Sequence, residues 1–224
     1  MARGNFLMPG TLFHFIFADM VRDRLQQEKL ITDDIEFYCG NLIPDMAIPK
    51  GRAHYEKMTE IEGVYSPNIE TVKEIYLTAD NVSMGIYTHL FLDNFFIERG
   101  LLRWLKFYPE DSLVCKRSNP GKLYTYEEVF SKRGIYGDYT KMNPLILDCG
   151  LVTISTIESI QEILPLTGIE EMDRRKEKTW KQELYGFFIE EVDNYGILEY
   201  EKILNLLEAA KREFFFTTKK LPKH

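Results

Sequence analysis

Four histidines occur in the 224 residues, and three of them, His14, His54 and His89, fall in the first hundred. His89 stands in the stretch GIYTHLFLDNFFIERG, residues 85–100, where Asp93 follows it by four positions. On a helix that spacing puts both side chains on one face, about 5–6 Å apart at Cβ. An imidazole and a carboxylate converging inside an apolar run are either half of a metal site or a buried, satisfied ion pair. His14, in TLFHFIFADM, shares a helix side with Phe17 and Val21 and so points inward. Asp45 follows Pro44, whose restricted backbone would hold a carboxylate rigidly. Three imidazoles and two carboxylates suit zinc or another divalent transition metal. Gly85, one turn before His89, would leave room for an ion or substrate.

The elements that must position these groups read as helices. Thr11 caps a helix running to about Gln27, with Phe13, Phe17, Met20 and Val21 inward. Thr32 caps a short helix that stops at Gly40, and residues 41–56, with two prolines and a glycine, read as an ordered loop. Ser66-Pro67 starts another helix. Asp80 or Asn81 opens the central helix, which Gly100 closes. Thr125 with Glu128 and Ser155 with Glu158 have the capping-box spacing. Residues 168–194 alternate charged and apolar positions at helical spacing, and 197–215 form a strongly amphipathic last helix. Val, Ile and Thr nowhere alternate long enough for a sheet, a short strand at 145–154 being the one exception. The expectation is an all-α, single-domain bundle over residues 1–224, with the metal site between its N-terminal and central helices. Residues 8–150 would form the metal-binding core and 151–216 a C-terminal helical portion.

The composition, 45% hydrophobic and 28% charged, is that of a globular chain, and it excludes wholesale disorder. A net charge of -7 disfavours nonspecific nucleic-acid binding. Cys39, Cys115 and Cys149 are odd in number and widely spaced, which fits reduced thiols in the cytoplasm. No apolar run is long enough to span a bilayer, and the N-terminal apolar stretch is broken by Pro9, Gly10 and His14. Walker A, G-x-S-x-G and H-E-x-x-H patterns are missing.

Taken in order, TLFHFIFADMV, YCGNLIPDMA, AHYE and GIYTHLFLDNFF resemble the zinc-dependent phospholipase C family, which includes the N-terminal domain of glycosylphosphatidylinositol-specific phospholipase D. The likeness covers residues 8–98. It implies an all-α bundle with metals at its centre. It further implies that Asp45, His54, His89 and Asp93 hold one zinc and that His14 holds a neighbouring ion bridged by Asp93. By the same resemblance Asp45 doubles as the base that orients water, and the substrate is a phosphoester small molecule or a phospholipid. The expected cofactor is zinc, one or two ions, with manganese or iron as substitutes. Two departures matter. Phe95, Phe96 and Ile97 follow the H-x-x-x-D pair and no histidine recurs before His224, so a complete three-zinc site is not expected. A leader also precedes His14, where secreted members use the N-terminus itself as a ligand. Asp138, in YGDYTKMN, is a candidate extra ligand, weighed against a helix cap. The competing reading is a non-catalytic helical protein with a structural or vestigial metal that binds a partner.

Overall fold

The computed structural model describes residues 10–46, 53–148 and 195–219. Helix α1 (Thr11–Gln27) begins after Gly10, which takes the cap position assigned above to Thr11, and buries Phe13, His14, Phe17 and Val21. Helix α2 (Asp34–Met46) is capped by Asp33, whose Oδ1 accepts from Ile35 N at 2.9 Å and Glu36 N at 3.0 Å, and not by Thr32. It runs through Gly40 and Pro44, so Asp45 lies in a last helical turn and not in a loop. Ser66 and Pro67 belong to a strand, and helix α3 (Ile69–Tyr76) starts two residues beyond Pro67.

Helix α4 (Asn81–Phe95) is the axis of the molecule. Asp80 caps it by accepting from Ser83 N at 2.7 Å. Nearly every residue from Met84 to Phe95 is buried, His89 and Asp93 included, so this part of the helix has no solvent stripe. Gly100 does not end it: the chain continues through a π-helical turn (Phe96–Leu101) and one further turn (Leu102–Trp104). Gly40 and Gly85 make the crossing of α2 and α4 close. A Cβ on Gly40 would strike the carbonyl of Val82, and one on Gly85 the carbonyl of Phe37. The space at Gly85 is thus filled by the α2 backbone and holds no ion or substrate. Asn81 ties the same pair together, accepting from Thr32 N at 2.8 Å and donating to Glu36 at 2.7 Å.

Two antiparallel sheets correct the all-α expectation: the fold is mixed α/β. Strands β1 (Glu56–Met58) and β2 (Tyr65–Pro67) form a hairpin with Lys57 opposite Ser66. Strands β3 (Leu105–Tyr108), β4 (Leu113–Lys116) and β5 (Asn119–Thr125) form a meander, with a break in register after Cys115. Helix α5 (Tyr126–Val129) follows with the expected Thr125–Glu128 capping box formed. Helix α6 (Ile135–Asp148) includes residues 145–148, where a strand was expected, and helix α7 (Tyr200–Thr218) is the amphipathic last helix. The rest of the 145–154 segment, the Ser155–Glu158 box, the 168–194 stretch and Cys149 lie outside the described residues.

One hydrophobic core joins α1, α2, α4, the meander and α7. Phe214 of α7 packs on Tyr87, Phe17 and Phe91, with ring centroids 5.3–5.7 Å apart. Cys39 and Cys115 are buried free thiols. Among the described residues no helix is long and apolar enough to cross a membrane.

Candidate metal centre

Four separate segments bring the five expected ligands together. His14 comes from the first turn of α1, Asp45 from the last turn of α2, His54 from the turn before β1, and His89 and Asp93 from α4. The four other than Asp45 are at most 1% exposed, and Asp45 is 11% exposed.

Local structure aims each group. Tyr55, next to His54, adopts φ 49°, a left-handed conformation unfavourable for a bulky side chain. Two bonds hold it there: Asn68 N donates to its carbonyl at 2.9 Å, and its hydroxyl pairs with that of Tyr76 at 2.8 Å. Asn94, adjacent to Asp93, donates to Ser66 Oγ at 2.9 Å and to the Pro67 carbonyl at 3.0 Å. The hairpin that follows His54 is thereby clamped to the helix that carries Asp93. His89 Nδ1 donates to the Asn41 carbonyl at 2.6 Å, which fixes the tautomer and leaves the Nε2 lone pair facing the other ligands.

Asp93 is the hub. Its Oδ1 lies 3.2 Å from His14 Nε2, while its Oδ2 lies 3.3 Å from His89 Nε2 and 3.5 Å from His54 Nε2. Asp45 Oδ1 stands 3.8 Å from His54 Nε2 and 3.9 Å from His89 Nε2. Good N–H···O bonds would be closer, at about 2.9 Å. Ligand atoms on a tetrahedral ion with bonds of about 2.0–2.1 Å stand about 3.3 Å apart, which matches the three Asp93 distances, while those to Asp45 are wider. Among the described residues, both nitrogens of His14 and both oxygens of Asp93 are buried without a hydrogen bond, a state that proteins rarely tolerate. Two overlapping groups, His14, His89 and Asp93, and Asp45, His54 and His89, could hold a metal ion. The single lone pair on His89 Nε2 serves one ion, so occupation of both groups together needs Asp93 as the bridge.

The electrostatics agree. The His14 and His89 rings stack face to face, 3.6 Å apart and 5° from parallel, an arrangement that two imidazolium cations would resist. Burial, reinforced by His89, lowers the His14 pKa and keeps that ring a neutral donor. Burial alone would raise the Asp93 pKa; His14 and His89, whenever they carry a proton, outweigh it and hold the carboxyl well below the usual range. A carboxylate sunk among neutral imidazoles needs a cation nearby.

Asp138 lies outside both groups. It is 3% exposed and its Oδ2 accepts from Leu198 N at 2.7 Å, which fastens the segment entering α7. The backbone carbonyl of Asn41, which no sequence pattern singles out, is the missing partner of His89. Comparison of the chain with protein-family models, with curated proteins and with solved structures gave no match, so the likeness to zinc-dependent phospholipases C stands on the order of the four motifs.

Proposed function

We propose that the chain is a metal-dependent hydrolase of a phosphodiester, of the phospholipase C type, with zinc as its ion and manganese or iron as substitutes. The observation that carries this reading is the division of the two Asp93 oxygens, one toward His14 and one toward the His54–His89 pair. That division suits two ions bridged by a carboxylate, the arrangement common among phosphoester hydrolases. Asp45, His54, His89 and Asp93 would hold the first ion, and His14 with Asp93 the second. Bound there, the metal supplies Lewis acidity toward phosphoryl oxygens and lowers the pKa of water. Asp45, the one ligand with an exposed edge, takes the proton of the attacking water, whose oxygen forms the new P–O bond. The ester P–O bond breaks and the alcohol leaves with the proton that Asp45 returns to it. The substrate is a soluble phosphoester or a phospholipid, and the buried free thiols Cys39 and Cys115 support a cytoplasmic location.

Elemental analysis of protein purified without added metal, beside Asp93→Ala, tests the bridge. About two transition-metal ions per chain, falling to one or none in the variant, are expected. Turnover on a phosphodiester panel should drop at least about a hundredfold in His89→Ala with folding intact. The near-complete burial of the ligands favours one rival, a closed structural metal in a partner-binding protein. Full metal content without turnover on any phosphoester would decide for the rival. No metal after zinc or manganese reconstitution would sink both.

A further inference from the structure

Tyr139 of α6 is 2% exposed. Its ring packs on Phe13 and Phe96, with centroids 5.2 and 6.3 Å away, and a Cβ on Gly10 would stand 3.4 Å from its Cδ2. Gly10 precedes His14 by one helical turn, and Phe96 follows Asp93 by one turn. The tyrosine ring therefore borders the faces on which these two ligands stand. Its hydroxyl is buried and makes no hydrogen bond among the described residues, whereas a buried phenol ordinarily finds a partner. Phenylalanine would fill the same volume without stranding an O–H. The Tyr87 and Tyr126 hydroxyls share this state, but of the three only Tyr139 lies within reach of the Asp93 charge. Burial, then Tyr136 and Asp93, push its pKa well above the usual phenol value, and it remains a donor at neutral pH. Its neighbours have other tasks: Asp138 holds Leu198 N, and Tyr136 is 39% exposed.

We infer that the Tyr139 hydroxyl donates a hydrogen bond to a phosphoryl oxygen of the substrate on the His14–Asp93 side of the metal centre. The inference rests on the phosphoester reading above. Tyr139 is then a substrate-contacting residue, and an anionic oxygen supplies the acceptor that the described residues do not.

The test is calorimetric titration of zinc-loaded protein with inorganic phosphate, comparing the native chain with Tyr139→Phe. Zinc stoichiometry and affinity should be unchanged in the variant, and phosphate Kd should weaken about tenfold or more. Equal phosphate affinity in the two proteins would overturn the inference and leave the phosphoester reading standing. Loss of zinc from the variant would also overturn it, by making the hydroxyl a support of the metal. A native chain that takes up zinc but binds no phosphate would remove the phosphoester reading and this inference with it. Should Tyr139→Phe not fold, a fluorotyrosine placed at position 139 serves instead. Its fluorine resonance should shift when phosphate is added to the zinc-loaded protein, and a resonance that does not move overturns the inference.

Discussion

A hydrogen-bonded imidazole–carboxylate pair and two ligands of one ion differ by only a few tenths of an ångström. His89 and Asp93, at 3.3 Å, fall on the ligand side of that line. The spacing of four that makes them visible in the sequence is common to both states, so position alone left them open. Asp138 shows the same ambiguity resolved the other way. Its carboxylate accepts from the Leu198 backbone, with Ile197 beside it, and burial raises its pKa from 3.8 to about 6. The unfolded chain releases this proton near pH 3.8 and the folded chain only near 6. Between those values the folded state holds the extra proton, so this group's contribution to stability falls as pH rises through the interval and is level above it. A shift of that size corresponds to about 2 kcal/mol after allowance for relaxation around the site. Asp138→Asn removes the titration while keeping one acceptor. In chelator-treated protein, the stability of the variant minus that of the native chain should therefore rise by about 2 kcal/mol between about pH 4 and about pH 7.5. Urea unfolding at the two pH values measures the difference directly. A pH-independent gap would mean that Asp138 titrates normally and that its burial costs nothing.

At the scale of elements, the site depends on how closely α2 and α4 approach. Gly85→Ala gains about 1 kcal/mol of helix propensity. It also forces a methyl group into the Phe37 carbonyl and the Asn41 amide, which are backbone atoms and cannot rotate aside. Steric strain wins, and a net loss of about 2–3 kcal/mol is expected, together with weaker metal uptake, because Asn41 orients His89. Gly100→Ala is the control. Its new methyl would meet only the side-chain ends of Leu206 and Trp104 at 3.2 Å, which can yield, so its stability should stay within about 1 kcal/mol of the native chain. Equal losses in both variants, read by urea unfolding, would count against a special role for the crossing. The two glycines also show why the sequence misled. Gly40 has the look of a helix terminator, and only the presence of Val82 on the far side of the crossing makes it an interior packing position. Pro44 likewise suggests a loop, but α2 continues through it to Asp45 and forgoes only the one backbone bond that residue 44 would have given to the Gly40 carbonyl. The meander escaped notice because β5 reads NPGKLYT and is mostly exposed, and β3 and β4 are four residues each. Such strands are specified by pairing with their neighbours and leave little alternation in the chain. The α1 face, the cap at Asp80 (one of the two residues the sequence offers), the Thr125–Glu128 box and the amphipathic α7 are legible because each depends on residues within one or two turns.

Across the whole molecule, the centre sutures segments that are far apart in the chain. A bound ion would hold His14, Asp45, His54 and the His89–Asp93 pair to one another, and α1 and α4 also meet the Phe214 cluster through Phe17 and Phe91. The meander lies elsewhere, fastened to the α7 approach by Lys116, whose Nζ donates to the Gly196 carbonyl at 2.9 Å. An ion that binds only the folded chain stabilises it by RT ln(1 + [L]/Kd), about 4 kcal/mol at a free metal concentration a thousandfold above Kd. In a chain of this length each kcal/mol moves Tm by about 2–4 °C. Chelation should then lower Tm by about 10 °C, and added zinc should restore it in proportion to the logarithm of free metal. The loss should also be uneven. In hydrogen exchange, amides around His14, Asp45 and His54 should lose protection when metal is removed, because two uncompensated carboxylates remain in an apolar interior. Amides of β3 to β5 should change little, their pairing being independent of the centre. A Tm indifferent to free metal would show that the five side chains bind nothing. A uniform loss of protection would show that the metal props up the entire fold, and a site so tightly joined to folding would favour the structural reading over the hydrolase.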